Sequence, residues 1–310
     1  EIVRKKIMHL TGKDGAYPKI ESPWVVANLP EPQTFLKLIE VPTPAKDLMY
    51  DEVSFHASRH LPFDIADTYL GWQLLNPSSN AQTSKVLIAA VLKNIADSYT
   101  YLLEAAELNI LALEAEAVAF SRALITNSKD YTGMARALLD LGSARSYIVI
   151  YDNDSIQFSK SLNFTGESVT TAIAQALKIE RDAAEKIKIS TGIDHIKEFP
   201  TYITVMDTLV MKPVEEIKSS IKFYEERFAN ANPVTHITMS GGLSNLINFD
   251  TVLSQKLKIS SRPGNVWKNL APKAVADEIT NDEKRRGLSF ATAIGLALRA
   301  VANPLNDEAL

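Results

Sequence analysis

The stretch Leu139-Asp140-Leu141-Gly142-Ser143 ends an apolar run on an acid and then turns on a glycine and a hydroxyl. Such a turn aims backbone N–H groups and the Ser143 hydroxyl at one spot, and Gly142, lacking Cβ, lets the backbone approach a phosphate closely. Asp140 could hold a hydrated magnesium ion, which is how phosphate sites manage their charge. The same residues also read as an ordinary hairpin with a hydrophilic turn. Ser240-Gly241-Gly242 directly follows a second apolar strand. Bare backbone there would let a flat ring or a ribose lie against it, although two glycines after a strand also make a plain tight turn. Neither a Walker A loop nor a G-x-G-x-x-G pattern is present.

Glu185 and Lys188 lie three apart on a predicted helix and share a face. They could hydrogen-bond a ribose, or simply form a solvated ion pair. Glu114 and Glu116 follow an apolar strand. A carboxylate at that point could orient water for attack on a terminal phosphate, or it could be a helix-start acid favoured by the dipole. Of the histidines at 9, 56, 60, 195 and 236, only His56 and His60 have metal-like spacing, on a helix expected to end at Pro62. No third ligand is recognisable, so structural or surface roles are expected. No serine-hydrolase elbow is present.

The elements that must position these residues alternate between strand-like and helix-like patterns, which predicts an α/β protein. Strands are expected at Trp24–Leu29 and Thr34–Val41, a helix over 45–61 ended by Pro62, then strands at Thr68–Leu75 and 85–92 around an Asn-Pro-Ser-Ser-Asn turn. This strand, helix, strand, strand run over 33–92 reads as a compact inserted subdomain. An amphipathic helix over 93–108, a strand over 110–113 and a helix over 116–125 lead to a linker at 127–133. The first lobe is therefore assigned to 1–32 and 93–133, and the second to 134–303. The second lobe opens with strands at Ala135–Leu141, 147–151 and Ser155–Leu162, the last two joined by an Asp-Asn-Asp hairpin turn. Helices are predicted near 166–178, 180–189 and 204–230, a strand at 236–239, and a closing helix over 289–300. A nucleotide-facing core is assigned to 134–189 and 234–303, with 190–233 as an inserted helical part.

At 310 residues the chain can bury two domains or one large two-lobed fold, and 46% hydrophobic with 23% charged residues suits a globular protein in water. A net charge of -4, without a Lys/Arg block, argues against a nucleic-acid partner. The absence of cysteine excludes disulfides and thiolate metal sites. The longest apolar run, 86–92, is far short of a membrane span, and no signal peptide is visible. The sequence starts at Glu1 rather than methionine, which fits a piece of a longer chain.

Taken in order, strand-Asp-x-Gly-Ser-hairpin, helix with Glu-x-x-Lys and strand-Ser-Gly-Gly resemble the second half of the actin-like (ribonuclease H-like) ATPase fold, shared by actin, DnaK-type chaperones and FtsA. Leu139 to Ser143 with Phe164-Thr165-Gly166-Glu167-Ser168-Val169-Thr170 resembles the phosphate-binding hairpin and following helix start of the PilM family. Ala184-Glu185-Lys186-Ile187-Lys188 is similar to its Ala-Glu-x-x-Lys stretch, and Ala293 to Arg299 to its closing helix. Arg59-His60-Leu61-Pro62-Phe63 and Gly71-Trp72-Gln73-Leu74-Leu75 resemble its small FtsA-type inserted subdomain. Leu102 to Ala106 and Glu114-Ala115-Glu116 resemble its helix and strand leading to an interlobe cleft.

That resemblance implies a bacterial, cytoplasmic type IV pilus assembly protein, or one of a related type II secretion system, that binds ATP and Mg2+. Asp140, Gly142, Ser143 and Gly166 would face phosphates and, at Asp140, the metal. Glu185 and Lys188 would reach the ribose or base, Gly241 and Gly242 would lie under the adenosine, and Glu116 would position water. The implied partner is the N-terminal peptide of a PilN-like inner-membrane protein, bound near 24–30 and 33–92, with the pilus motor ATPases as further candidates. The chain would sit peripherally at the inner membrane through that partner, without inserting. In the family an earlier Asp-x-Gly-Ser-type hairpin completes the phosphate clamp, and residues 1–17 do not carry it. Hydrolysis is therefore expected to be weak at most. A nucleotide-independent scaffold, an FtsA-like division protein and a small-molecule kinase of the same fold are the alternatives.

Overall fold

A computed structural model describes residues 1–75, 81–126, 129–193, 200–228, 230–270 and 278–301. His195, the expected turn at 76–80, part of the expected linker and the last nine residues lie outside that set. The chain forms two compact units, Glu1–Ala119 with Arg299–Leu310, and Phe120–Leu298.

In the first unit, helix α1 (Ile2–Leu10) buries none of its side chains. Arg4 and Lys13 instead donate to carbonyls at and beyond the end of helix α3 (Lys93–Ala105): Arg4 to Ala105 at 3.3 Å, and Lys13 to Ala106 at 2.9 Å and to Glu107. Cations belong at that negative end of the helix. Strand β1 (Trp24–Leu29) runs parallel to β5 (Asn109–Ala115). The inserted region forms an antiparallel sheet in the order β2 (Thr34–Val41), β4 (Ser84–Leu92), β3 (Thr68–Leu75), with Thr34 opposite Val91 and Thr68 opposite Leu92. The longest apolar run of the sequence becomes the central strand β4, as expected for a strand covered on both faces. Helix α2 (Tyr50–Ser58) adds Val53 and Ala57 to a small core with Ile39, Val41, Val86 and Ile88.

The single helix predicted over 45–61 is not found. Ala45–Asp47 is one 3-10 turn, Leu48 and Met49 are extended, and α2 starts only at Tyr50. Leu48 packs against the small core, which takes the backbone out of the helical path. At the other end, Leu61 precedes Pro62 and is steered away from helical geometry, so His60 sits beyond the helix rather than on one face with His56.

In the second unit, β6 (Ala135–Leu141), β7 (Ser146–Asp152) and β8 (Ser155–Leu162) form two antiparallel pairs, while β9 (Val234–Ser240) runs parallel to β6 and β10 (Ser260–Pro263) parallel to β9. The order is β10-β9-β6-β7-β8. Asn153 and Asp154 adopt φ of 48° and 58° in the β7–β8 turn, the left-handed geometry foreseen from their Asx side chains. Asp152, 1% exposed, is held by the Asn153 and Asn232 backbone amides and side chains and by the Tyr224 hydroxyl.

One sheet face, with Ala135, Ala137, Leu139, Leu141, Ile148 and Ile150, shares a core with helices α5 (Gly166–Leu177), α6 (Arg181–Thr191), α7 (Pro200–Arg227) and α8 (Phe249–Leu257). Side chains alternate along a strand, so Arg136, Leu138 and Asp140 of β6 occupy the opposite face. Further helices are α4 (Glu116–Leu124), α9 (Asn281–Gly287) and α10 (Ala291–Val301).

Candidate functional site

Parallel strands β6 and β9 end side by side, with Asp140 opposite Ser240. From here the chain leaves β6 toward β7 on one side, while β9 has β10 on its other side. A crevice beyond the carboxyl ends of two such strands is where open α/β sheets place ligands. Gly241 has φ of 84°, and a Cβ there would lie 2.5 Å from the Leu141 carbonyl oxygen and 2.6 Å from Asp140 Oδ1. Only glycine fits both the left-handed backbone and that approach. The Gly241 amide donates to the Leu288 carbonyl at 2.9 Å, and the Ser240 hydroxyl donates to the same oxygen at 2.8 Å, so a segment between α9 and α10 anchors this loop. Gly242 is exposed, and a Cβ on it would meet only Ser289 Oγ at 3.7 Å. Its backbone is open rather than sterically required.

The β6–β7 turn is built against the start of α5. The Gly142 amide donates to Arg145 O at 3.0 Å, and an added Cβ would stand 2.4 Å from that oxygen. The Gly142 carbonyl accepts from Gly166 N at 3.0 Å, and the Ser143 carbonyl from Glu167 N at 2.9 Å. Thr165 and Ser168 close a capping box, Ser168 N to Thr165 Oγ1 at 3.2 Å and Thr165 N to Ser168 Oγ at 3.0 Å. The first three N–H groups of α5 are thus bonded within the protein. Gly166, buried, is the point of closest contact: a Cβ would be 3.3 Å from Ser143 Cα. Ser143 itself is exposed, and Asp140 is half-buried.

Lys188 points inward. Its side chain is 9% exposed, and Nζ donates to the Gly166 carbonyl at 3.2 Å, Thr170 Oγ1 at 2.8 Å and Glu185 Oε2 at 2.6 Å. The one proton of the Thr170 hydroxyl lies within reach of both Glu185 Oε2 and the Gly166 carbonyl. Burial raises the pKa of Glu185, but the hydrogen bonds from Lys188 and Thr170 outweigh it and hold the carboxyl below its ordinary value. The buried ammonium is therefore paired and hydrogen-bonded, as burial of charge requires.

The structure brings together Asp140, Gly142, Ser143, Gly166, Gly241 and Gly242, with Glu185 and Lys188 joined to them through Gly166. Glu116 belongs to the first unit. It is half-buried at the first position of α4, where its carboxylate accepts from Glu31 N at 3.2 Å. Buried Glu114 accepts from Arg299 Nη1 at 2.7 Å. Among the described residues no cluster of three or more His, Asp or Glu could hold a metal, and no helix is long and apolar enough to cross a membrane. Thr170 was missed from sequence. Its one signal is a hydroxyl a single helical turn after a glycine that opens a helix.

A central β6 flanked by an antiparallel pair on one side and parallel strands on the other is the ribonuclease H-like core of the actin-like fold, and that is the class of protein these strands and loops define. Residues 17–301 match the family described as Type IV pilus assembly protein PilM, and the chain belongs to that family. A solved PilM-PilN type IV pilus biogenesis complex is similar to it with a TM-score of 0.79 and 23% identity, covering 97% of this chain and 85% of that one. MreB 5 of Spiroplasma citri bound to AMPPNP has a TM-score of 0.50 at 11% identity, over 68% of this chain and 66% of that one. Among curated proteins, the cell division protein FtsA of Buchnera aphidicola is 28% identical over 108 residues, which span 35% of this chain and 25% of that relative.

Proposed function

We propose that this type IV pilus assembly protein is a nucleotide-binding adaptor. Mg-ATP would sit at the carboxyl ends of β6 and β9, and an N-terminal peptide of a PilN-like inner-membrane protein would occupy the first unit. The observation that carries the nucleotide reading is the close approach at Gly241, where the missing Cβ lets the loop after β9 lie directly on Asp140 and the Leu141 carbonyl and leaves the exposed Gly242 backbone beside them. An adenosine or ribose would lie on that open Gly242 backbone, with the Asp140 acid close by. The donor set suits Mg2+ rather than a caged metal, because Mg2+ binds through one carboxylate with phosphate oxygens and water. Asp140 would orient that hydrated ion, and the exposed Ser143 hydroxyl and open Gly242 backbone would meet the polar parts of the nucleotide. Bound magnesium would supply charge neutralisation of the phosphates. The peptide reading is supported by the similar complex, which contains PilN. Glu116 would position water, and the hydrogen bond from Glu31 N fixes its carboxylate in one orientation. Peripheral placement at the inner membrane follows from such a partner.

Isothermal titration of Mg-ATP into the chain and into Asp140→Ala tests the site. Saturable binding to the parent that is lost in the variant supports it. Equal heats in both would sink it. One observation favours the nucleotide-independent scaffold instead: Lys188, Glu185 and Thr170 already satisfy one another. Titrating a PilN-like N-terminal peptide with and without Mg-ATP separates the readings, since a scaffold binds the peptide equally in both.

A further inference from the structure

Arg136 sits in the apolar strand β6 and is only 7% exposed. Its Nε and Nη2 are buried, and neither donates to any atom among the described residues. These two N–H groups lie along one edge of the guanidinium, the edge that grips a carboxylate or a phosphate with two parallel hydrogen bonds. Arginine keeps its charge at any ordinary pH, and burial here acts against that charge. A buried unpaired cation is among the costliest arrangements in a protein interior.

The surroundings deepen the imbalance. The Tyr131 ring lies 5.0 Å from Arg136 Cζ and 5.8 Å from Lys129 Nζ, so two cations share one aromatic ring. On β7, Tyr151 is opposite Arg136, and its ring packs edge-on to Tyr131 at 6.5 Å. On β9, His236 is the register partner of Arg136. Burial first, then Arg136 and Lys129, hold its imidazole below the ordinary pKa. Neither Arg136, Lys129 nor His236 forms an ion pair among the described residues; His236 contacts only the Thr235 hydroxyl, at 3.0 Å. The place is separate from the Asp140 crevice. Four residues along one strand face put the two about 13 Å apart.

We infer that Arg136 is the floor of a second site, which takes a single oxyanion, a carboxylate or a phosphate group, on its Nε–H and Nη2–H edge. Lys129 and His236 flank the charge, and the Tyr131 ring packs on the guanidinium. The reading is independent of whether nucleotide binds at Asp140.

The test is NMR detection of the Arg136 Nε–H resonance, assigned by its loss in Arg136→Lys, while inorganic phosphate or acetate replaces chloride at constant ionic strength. A saturable shift with phosphate alone makes the ligand a phosphoryl group. A shift with acetate alone makes it a carboxylate, and a shift with both shows that the fork reads any oxyanion. No shift with either overturns the site. Thermal unfolding with the same anions provides the second readout. Parent and Asp140→Ala should gain melting temperature alike, and Arg136→Met should gain none. An equal gain in Arg136→Met would place the anion elsewhere and overturn the inference.

Discussion

The two ends of β6 solve opposite problems on one strand face. At the carboxyl end, close approach is made possible by leaving side chains out. Gly142 and Gly241 bring backbone against backbone, and every donor at the α5 start and on Lys188 finds a partner. At the amino end a long cation is packed in against an aromatic ring, and two of its donors find no partner among the described residues. The first end is a satisfied, closely packed scaffold, so its stability and its binding capacity can be altered separately. The second is an unsatisfied charge, so there stability and binding are coupled. Whatever neutralises Arg136 should also stabilise the unit, because a ligand that binds only the folded state adds its binding free energy to folding.

The hardest blow to this contrast would fall at Gly241. A valine there must adopt φ of 84° and drive Cβ into the Leu141 carbonyl. A left-handed backbone costs roughly 1–2 kcal/mol and overpacking about 1–3 more, so urea denaturation should show a loss of about 3 kcal/mol. A loss under about 1 kcal/mol would mean the loop relaxes freely and the close approach is not built in. Thr170→Val comes next. It removes the hydroxyl shared by Lys188 and Glu185 and should cost about 1–2 kcal/mol, the desolvation penalty of partners left short. An unchanged denaturation midpoint would show the cluster is not cooperative.

Arg136→Met should, by contrast, leave stability unchanged or raise it by about 1 kcal/mol in chloride buffer, since an apolar stem replaces an uncompensated charge. A loss above about 2 kcal/mol would show that the guanidinium is satisfied after all. The smallest effect separates the two ends by pH. His236 has a lowered pKa, so the folded state takes up its proton less readily than the unfolded chain does. Its contribution is full above the ordinary value of 6.5 and is lost as pH falls below it. Glu185 is also lowered, so its contribution is full above 4.5 and fades only at lower pH. Partial exposure screens both, to under about 1 kcal/mol each. Stability measured against pH should therefore decline in two steps, with His236→Asn erasing the upper and Glu185→Gln the lower. A single step that survives both substitutions would refute the assignment.

Several parts of this picture are legible from residue order alone. The Asx turn at Asn153-Asp154 needs left-handed backbone, which these side chains tolerate, and β4 is readable because a short unbroken apolar run after a turn suits a strand covered on both faces. The Asp-x-Gly-Ser turn, the Glu-x-x-Lys spacing and the Ser-Gly-Gly after a strand are local, and so is the PilM resemblance they carry. The break between Ala45 and Tyr50 was not readable, because it follows from Leu48 packing on a core formed by distant strands. Helix α1 went unpredicted for a related reason. It buries nothing, and its Arg4, with Lys13 just beyond it, reaches across to carbonyls about a hundred residues away.

What the sequence determined by itself is the identity of the elements and the chemistry each could offer, since propensity, turn geometry and hydrophobic period act over a few residues. The tertiary structure decided which of those chemistries meet. Asp140 and Gly241, a hundred positions apart, become neighbours only because β9 pairs in parallel with β6. Lys188, free to point either way along its helix face, is turned inward by the Gly166 carbonyl and Thr170. Arg136 reads as one charged residue in a strand. It becomes a demand for an anion only once the sheet and Tyr131 have closed around it, because the cost of a charge is set by the surroundings that replace water.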